Sequence, residues 1–443
     1  MIHQDKFTFF ALFALLVAAS GGILFGYHTA ILSGILSSVK AEFSLSVFKE
    51  GILVSTVLLG GLIGALFAGV AADRWGRKKV LLATAVLFCI GTLIQAISYG
   101  NTELLIGRLM TGIAVGVSSV VSPLYLAEIA PPHNRGSFVA AYQLFVAGGI
   151  LLAYGVNFAI EQHSNWRIVF YFGLIPSLLQ FMCLFFIPET PSWLMRQKNN
   201  ISALGSLEHL RKDTEWVNHL EEMKKTADSQ NKEQAKQLLE PHLKRLLFIG
   251  LFLSIFQQIT GVNTVFYYAP KIFSQGSGTS HTALLVTLVI GIINFLSTIL
   301  SVLFLDKLGR RLFLLAGTLA MIIGQILLIF TTSSPLIGIL GALIYVFGFA
   351  IGLGPILWVL LSEIYPLRIR GKAMGLALFA NWLFNYLISL TFLSLLEKLG
   401  LSGAFILYAF ISVLCFIFIY FFIPETKGKS LEEIEQLASE GHL

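Results

Sequence analysis

Residues 257–268 read Gln257-Gln258-Ile259-Thr260-Gly261-Val262-Asn263-Thr264-Val265-Phe266-Tyr267-Tyr268, inside an apolar run that begins near Leu246. Three carboxamides, two threonines and two tyrosines stand where hydrocarbon is expected. Polar groups at that depth are costly unless they face a partner or a wet cavity. Carboxamides both donate and accept hydrogen bonds and carry no charge. They therefore suit a neutral ligand with many hydroxyls. On one helix Gln257 and Gln258 point about 100° apart, with Asn263 near their side. Gly261 permits a bend or a close approach. The competing reading is glue between helices, since buried Gln and Asn bond across membrane bundles.

The totals account for the apolar surroundings. The 443 residues are 56% hydrophobic and 12% charged, with mean hydropathy +0.81. Soluble domains run at about 25% charged. Apolar runs of about 20 residues recur at about 7–36, 50–72, 79–99, 103–127, 137–160, 166–187, 245–270, 281–305, 311–332, 335–361, 373–396 and 402–423. With both termini in the cytoplasm, the inner segments hold 24 of the 30 Lys and Arg and the outer segments 5. Arg108 is the one left inside a helix. That split follows the positive-inside rule. It explains the net charge of +6 without a nucleic-acid partner. Cys89, Cys183 and Cys415 stand singly, with neither metal spacing nor a disulfide pattern. The start of the chain has the look of a signal peptide up to Ala18-Ala19-Ser20, but its apolar run continues past Ser20.

An internal duplication organises the chain. Asp73-Arg74-Trp75-Gly76-Arg77-Lys78 returns 233 residues on as Asp306-Lys307-Leu308-Gly309-Arg310-Arg311. Glu128 and Arg135-Gly136 return as Glu363 and Arg370-Gly371, and Pro188-Glu189-Thr190 as Pro424-Glu425-Thr426. The expected fold is an all-α membrane protein of twelve transmembrane helices in two pseudo-symmetric six-helix halves. The halves span 1–190 and 245–425, with a linker at 191–244 and a short cytoplasmic tail at 426–443. Leu204 to Arg211 and Trp216 to Lys225 have the spacing of short amphipathic helices on the cytoplasmic face. About 50 linker residues are too few for a catalytic domain.

The repeated charges read as a cytoplasmic latch between the halves: Asp73, Arg74, Arg77, Glu128, Arg135 and Glu189, then Asp306, Arg310, Arg311, Glu363, Arg370 and Glu425. Networks of bidentate, partly buried pairs can bias a conformational equilibrium. The competing reading is anchoring of loops alone, which is favoured for the lysines. Gly352-Leu353-Gly354-Pro355 marks a break in the tenth run and a mobile gate. Trp358 follows it; an indole packs against the C–H face of a sugar. Trp382 reads as ordinary packing.

Taken together, these motifs resemble the sugar porter family of the major facilitator superfamily from about Phe25 to the tail. Gln257 to Tyr268 and the closing Pro424-Glu425-Thr426-Lys427-Gly428 are the most specific of them. The resemblance implies the major facilitator fold and alternating access. It implies a central sugar site lined by Gln143, Gln257, Gln258, Asn263, Asn294, Trp358 and Asn381, to which the reading adds Tyr267. Asn381-Trp382 resembles the pair of glucose facilitators and points to a hexose; a pentose is the alternative. Two departures stand out. Ser192 occupies the place of an arginine. His28 occupies the place of an acid in proton symporters and of an asparagine in uniporters, opposite Arg108.

Burial and a neighbouring cation both favour a neutral imidazole, which could accept a hydrogen bond from Arg108. The expected function is a monosaccharide transporter, mainly facilitative, in the cell membrane. Its partners are a small glucose-like sugar and the bilayer, and the family implies a monomer. The rivals are a sugar:proton symporter working through His28 and Arg108, and a sugar sensor of the same fold. The short tail after the last span, about 20 residues, fits a carrier better than a sensor. No nucleophile–base pair, metal cluster or nucleotide loop points to an enzyme or a cofactor.

Overall fold

The computed structural model describes residues 9–130, 135–161, 163, 165–197, 199–210, 241–277, 280–365 and 370–427. Among the described residues every regular element is a helix. The first half holds α1 (Phe9–Ala30), α2 (Leu32–Phe43), α3 (Val47–Trp75), α4 (Arg77–Ala96), α5 (Asn101–Ile129), α6 (Arg135–Ala159) and α7 (Ile168–Leu184). Two short helices follow, α8 (Pro191–Arg196) and α9 (Asn200–Leu210). The second half holds α10 (Pro241–Ile259), α11 (Val262–Ser277), α12 (Ser280–Leu308), α13 (Arg310–Leu328), α14 (Pro335–Ile351), α15 (Leu353–Ile364) and α16 (Arg370–Phe422).

These helices make twelve crossings. The pairs α1–α2, α10–α11 and α14–α15 are each one span with a break. The helix α16 is two spans that meet at Gly400, where φ is 68°. The expected spans are found within a few residues, save that the first runs on to Phe43. The expected run Trp216 to Lys225 lies outside the described residues.

Hydrocarbon offers no partner to a free backbone group, so helices that break in a membrane must satisfy the freed carbonyls internally. Each break here does so. Asn157 Nδ2 donates to Ile31 O at 3.0 Å. Thr260 O accepts from Gln325 Nε2 at 2.9 Å and Tyr345 Oη at 2.6 Å. Ile351 O, which Pro355 leaves without its helical donor, accepts from Ser301 Oγ at 3.2 Å. Gly261 has φ 84°, a left-handed backbone that a side chain resists. A Cβ there would also meet the Tyr408 ring at 2.7 Å. The break in the seventh span is therefore fixed by sequence.

Small residues set the helix packing, as expected where dispersion rather than hydrophobicity joins helices. Gly60 and Gly64 of α3 face the carbonyls of Leu109 and Ile113, and Gly112 of α5 faces that of Val57. Gly91 of α4 and Gly107 of α5 face each other's carbonyls, and 233 and 234 residues on Gly324 of α13 and Gly341 of α14 do the same. The duplication seen in the motifs is thus also a duplication of contacts.

Candidate functional site

The seventh span breaks one residue after Ile259, so Asn263 does not share a helix with Gln257 and Gln258. The single-helix argument for their common side fails. The break itself brings them together. Asn263 Nδ2 donates to Gln258 Oε1 at 2.6 Å. Gln258 Nε2 donates to Gln257 Oε1 and to Asn381 Oδ1, both at 3.1 Å. Asn381 Nδ2 returns a bond to Gln257 Oε1 at 2.7 Å and another to Ser254 O at 3.1 Å. Four carboxamides thus form a ladder of neutral donors and acceptors beside the breaks of the seventh and tenth spans. Gln257 also binds the Leu353 and Gly354 carbonyls, which ties the ladder to the kink in front of Trp358.

Tyr267 is buried and its Oη accepts from Asn385 Nδ2 at 3.4 Å. Asn385 extends the set, one helical turn beyond Asn381. That spacing puts both on one face and was the signal that could have added it. Gln143 on α6, Asn294 on α12 and Trp358 on α15 are partly or largely buried. Among the described residues none of them is hydrogen-bonded to the ladder. Trp382 stacks on Phe25 at 5.6 Å between centroids and fills the space above Gly61, as ordinary packing requires.

His28 and Arg108 are both fully buried, but the expected bond between their side chains does not form. His28 Nε2 lies 3.2 Å from Thr92 Oγ1, and the ring stacks on Phe88. Arg108 donates instead to backbone oxygens: His28 O at 2.9 Å, Val54 O at 3.1 Å and Leu53 O at 3.3 Å. The reason is steric order: the ring is taken by α4, and the α3 carbonyls are within the reach of the guanidinium. Among the described residues no carboxylate pairs with Arg108. Thr92 was missed because nothing in the sequence marks it.

The latch residues form two matching sets. Gly76 and Gly309 share φ 93° and ψ 157°. After each glycine a helix starts, and a carboxylate from the end of the same half caps it. Glu189 accepts from Arg77 N at 2.9 Å and Lys78 N at 3.1 Å. Glu425 accepts from Arg310 N at 2.9 Å and Arg311 N at 3.1 Å. The helix dipole favours an anion there. Burial pushes the Glu189 carboxyl up from its ordinary range, while the N–H groups of Thr190, Lys78 and Arg77 hold it back. Arg77 then pairs with Glu128 at 2.9 Å and Asp73 at 3.1 Å, and Arg310 with Glu363 at 2.8 Å.

These pairs run within one half, whereas the latch was expected to run between halves. Arg74 stacks over Trp75, and Arg311 binds Tyr420 O. The side chains of Arg135, Asp306 and Arg370 lie outside the described residues. Near Ser192, Arg196 lies 3.5 Å from Asp73.

Known proteins are similar to this chain over nearly its whole length. A family model described as "Sugar (and other) transporter" matches residues 14–438. The arabinose-proton symporter of Bacillus subtilis (strain 168) is 34% identical over 432 residues, 95% of this chain and 93% of that one. The glucose transporter GlcP of Staphylococcus epidermidis is 36% identical over 440 residues, 98% and 97% of the two chains. The xylose transporter XylE from E. coli, in a partially occluded inward open conformation, matches with TM-score 0.85 and 34% identity. That match covers 96% of this chain and 100% of the other. Matches of this extent, on a helical fold with duplicated charge sets and a buried neutral ladder, leave no place for an enzyme: the chain is a multi-pass membrane protein and belongs to the sugar porters of the major facilitator superfamily.

Proposed function

We propose that the protein carries a monosaccharide of the hexose class by alternating access, mainly as a facilitator. The observation that carries the reading is the ladder Gln257–Gln258–Asn381–Asn263. Its members now satisfy one another, and each can trade that bond for a sugar hydroxyl with little net cost. Net exchange energies of about 0.5–1.5 kcal/mol per bond suit a ligand that must also leave. The absence of charge among these four groups selects a neutral solute. The likeness to a glucose transporter supports a hexose. The breaks beside the ladder are the kind of discontinuity at which transporters place their substrates.

The facilitative part rests on Arg108. Its charge is spread over three carbonyls and needs no proton-switched acid. The bias of Lys and Arg supports placing the Asp73 and Asp306 loops in the cytoplasm; the Glu50 face is then external. A second reading, proton symport, has two observations in its favour. His28 Nδ1 is buried without a hydrogen-bond partner among the described residues, and the arabinose relative is a proton symporter. Purified protein in liposomes should take up labelled glucose saturably and show countertransport, with other hexoses competing more strongly than pentoses. Uptake that is linear in sugar concentration would contradict a carrier, and stronger competition by pentoses would move the substrate class.

A further inference from the structure

Among the described residues, the charged groups that join the two halves lie opposite the duplicated loops. Glu50 stands in the first turn of α3 and is 1% exposed. Its Oε1 lies 2.5 Å from Lys40 Nζ of α2, and its Oε2 lies 2.5 Å from Lys271 Nζ of α11. The Lys271 contact has hydrogen-bond geometry; the Lys40 contact is an ion pair without it. Lys40 and Glu50 belong to the first half, Lys271 to the second. The seam around them is tight. A Cβ on Gly51 would come within 2.7 Å of the Leu390 carbonyl of the other half. Tyr154 Oη donates across the halves to Phe266 O at 2.7 Å.

We infer that Glu50 is the centre of an outer latch, which Lys271 closes and which must open each time the external side is exposed. The inference rests on the alternating-access reading above. It also gives the sugar a mechanical link to the latch. Lys271 sits on α11 with Tyr267 one turn before it and Asn263 two turns before it. Residues at those spacings share a face, and eight residues of helix span about 12 Å. A sugar that draws Asn263 inward moves Lys271 with it, so loading the ladder and closing the outer seam become one motion of α11, whose interior Pro270 leaves the Phe266 carbonyl to Tyr154.

The variants have different consequences. Lys271→Met leaves Glu50 paired with Lys40 inside its own half, and so loosens the seam without stranding a buried anion. Glu50→Gln removes the anion that holds two cations together, and their repulsion then drives the halves apart. The exchange Glu50→Lys with Lys271→Glu rebuilds a bridge, because a carboxylate on α11 again faces two ammonium groups.

The test uses spin labels on Lys49→Cys and Ser274→Cys, both exposed and on opposite halves, after replacement of Cys89, Cys183 and Cys415. Distances are measured in nanodiscs without sugar. The outward-open population should rise about fivefold in Lys271→Met and further in Glu50→Gln. The charge exchange should return most of it. The apparent KM for sugar entry should fall in Lys271→Met while that for exit does not, since the penalty for a scarce outward state is lifted. Unchanged distance distributions in Lys271→Met, or an exchange variant as open as Glu50→Gln, would overturn the latch. A shifted distance distribution in a protein that moves no sugar would instead leave the latch standing and remove the transport reading.

Discussion

Each half buries a polar cluster, and the two clusters are built on opposite principles. In the first half Arg108 spends its donors on three backbone carbonyls of α1 and α3. His28 turns away to Thr92 and Phe88. In the second half the ladder consists of side chains bonded to side chains, with Gln257 alone reaching a broken backbone. A guanidinium locked to carbonyls fixes geometry; nothing in it is exchangeable without unravelling the contact between α1, α3 and α5. A carboxamide locked to another carboxamide is exchangeable, since a hydroxyl offers the same donor and acceptor. The difference teaches a division of labour. On the proposed function, the first half supplies a rigid wall, and the second the groups that would change partners when a sugar arrives.

If that division holds, Arg108→Met should be the most damaging change. It removes three charge-assisted bonds, each worth about 1.5–3 kcal/mol when made to a charged group. Sugar flux should fall at least tenfold, and the melting temperature should fall with it. Flux equal to the parent's would mean that Arg108 is not what holds the wall.

Within the ladder the changes should be graded. Gln257→Ala breaks bonds to Leu353, Gly354, Gln258 and Asn381 at once, and should cost roughly tenfold or more in sugar affinity. Asn263→Ala breaks one and should cost about 2–13-fold, with Gln258→Ala, which breaks three, between the two. Binding titrations with glucose check the order; equal losses for Gln257→Ala and Asn263→Ala would show that Gln257 is not the hub.

The cytoplasmic sets give a finer contrast. Thr426 Oγ1 donates to Glu363 Oε2 at 2.6 Å. The matching atoms of the first half, Thr190 Oγ1 and Glu128 Oε2, are both buried without a partner among the described residues. Thr426→Val should therefore destabilise the protein by about 1–2 kcal/mol, while Thr190→Val should be neutral or slightly stabilising. Thermal melts of the two variants side by side decide it. Equal losses would mean that the two sets are alike after all.

Much of this architecture was legible in the chain. Span count, the duplication and the break at Gly352 follow from hydropathy, spacing and Gly-Pro chemistry. The ladder's members were legible because carboxamides at hydrocarbon depth are rare and costly. The partners were not. Asn263 reaches Gln258 across a helix break that periodicity cannot place. Asn385 was visible as a polar residue at hydrocarbon depth, but its link to the set came only with its bond to Tyr267. His28 and Arg108 were expected to bond through their side chains, but a sequence does not show which of several backbone oxygens lies nearer. The charge sets were expected to bridge the halves. Among the described residues they close within each half instead, because Glu189 and Glu425 cap the helix starts next to them. Glu50 was not singled out, since a single acid at the start of a span looks like any loop residue until its burial is known.

The smallest expected effect tests the central claim most directly. Liposomes holding the parent protein or His28→Asn are given equal sugar on both sides and an outside-acid pH gradient. With Arg108 satisfied by carbonyls and His28 Nε2 by Thr92, the sugar should stay equal across the membrane in both. Exchange of labelled sugar should be unchanged by the substitution to within about twofold. Uphill accumulation of sugar in the parent that vanishes in His28→Asn would contradict the facilitator and establish His28 as the proton carrier.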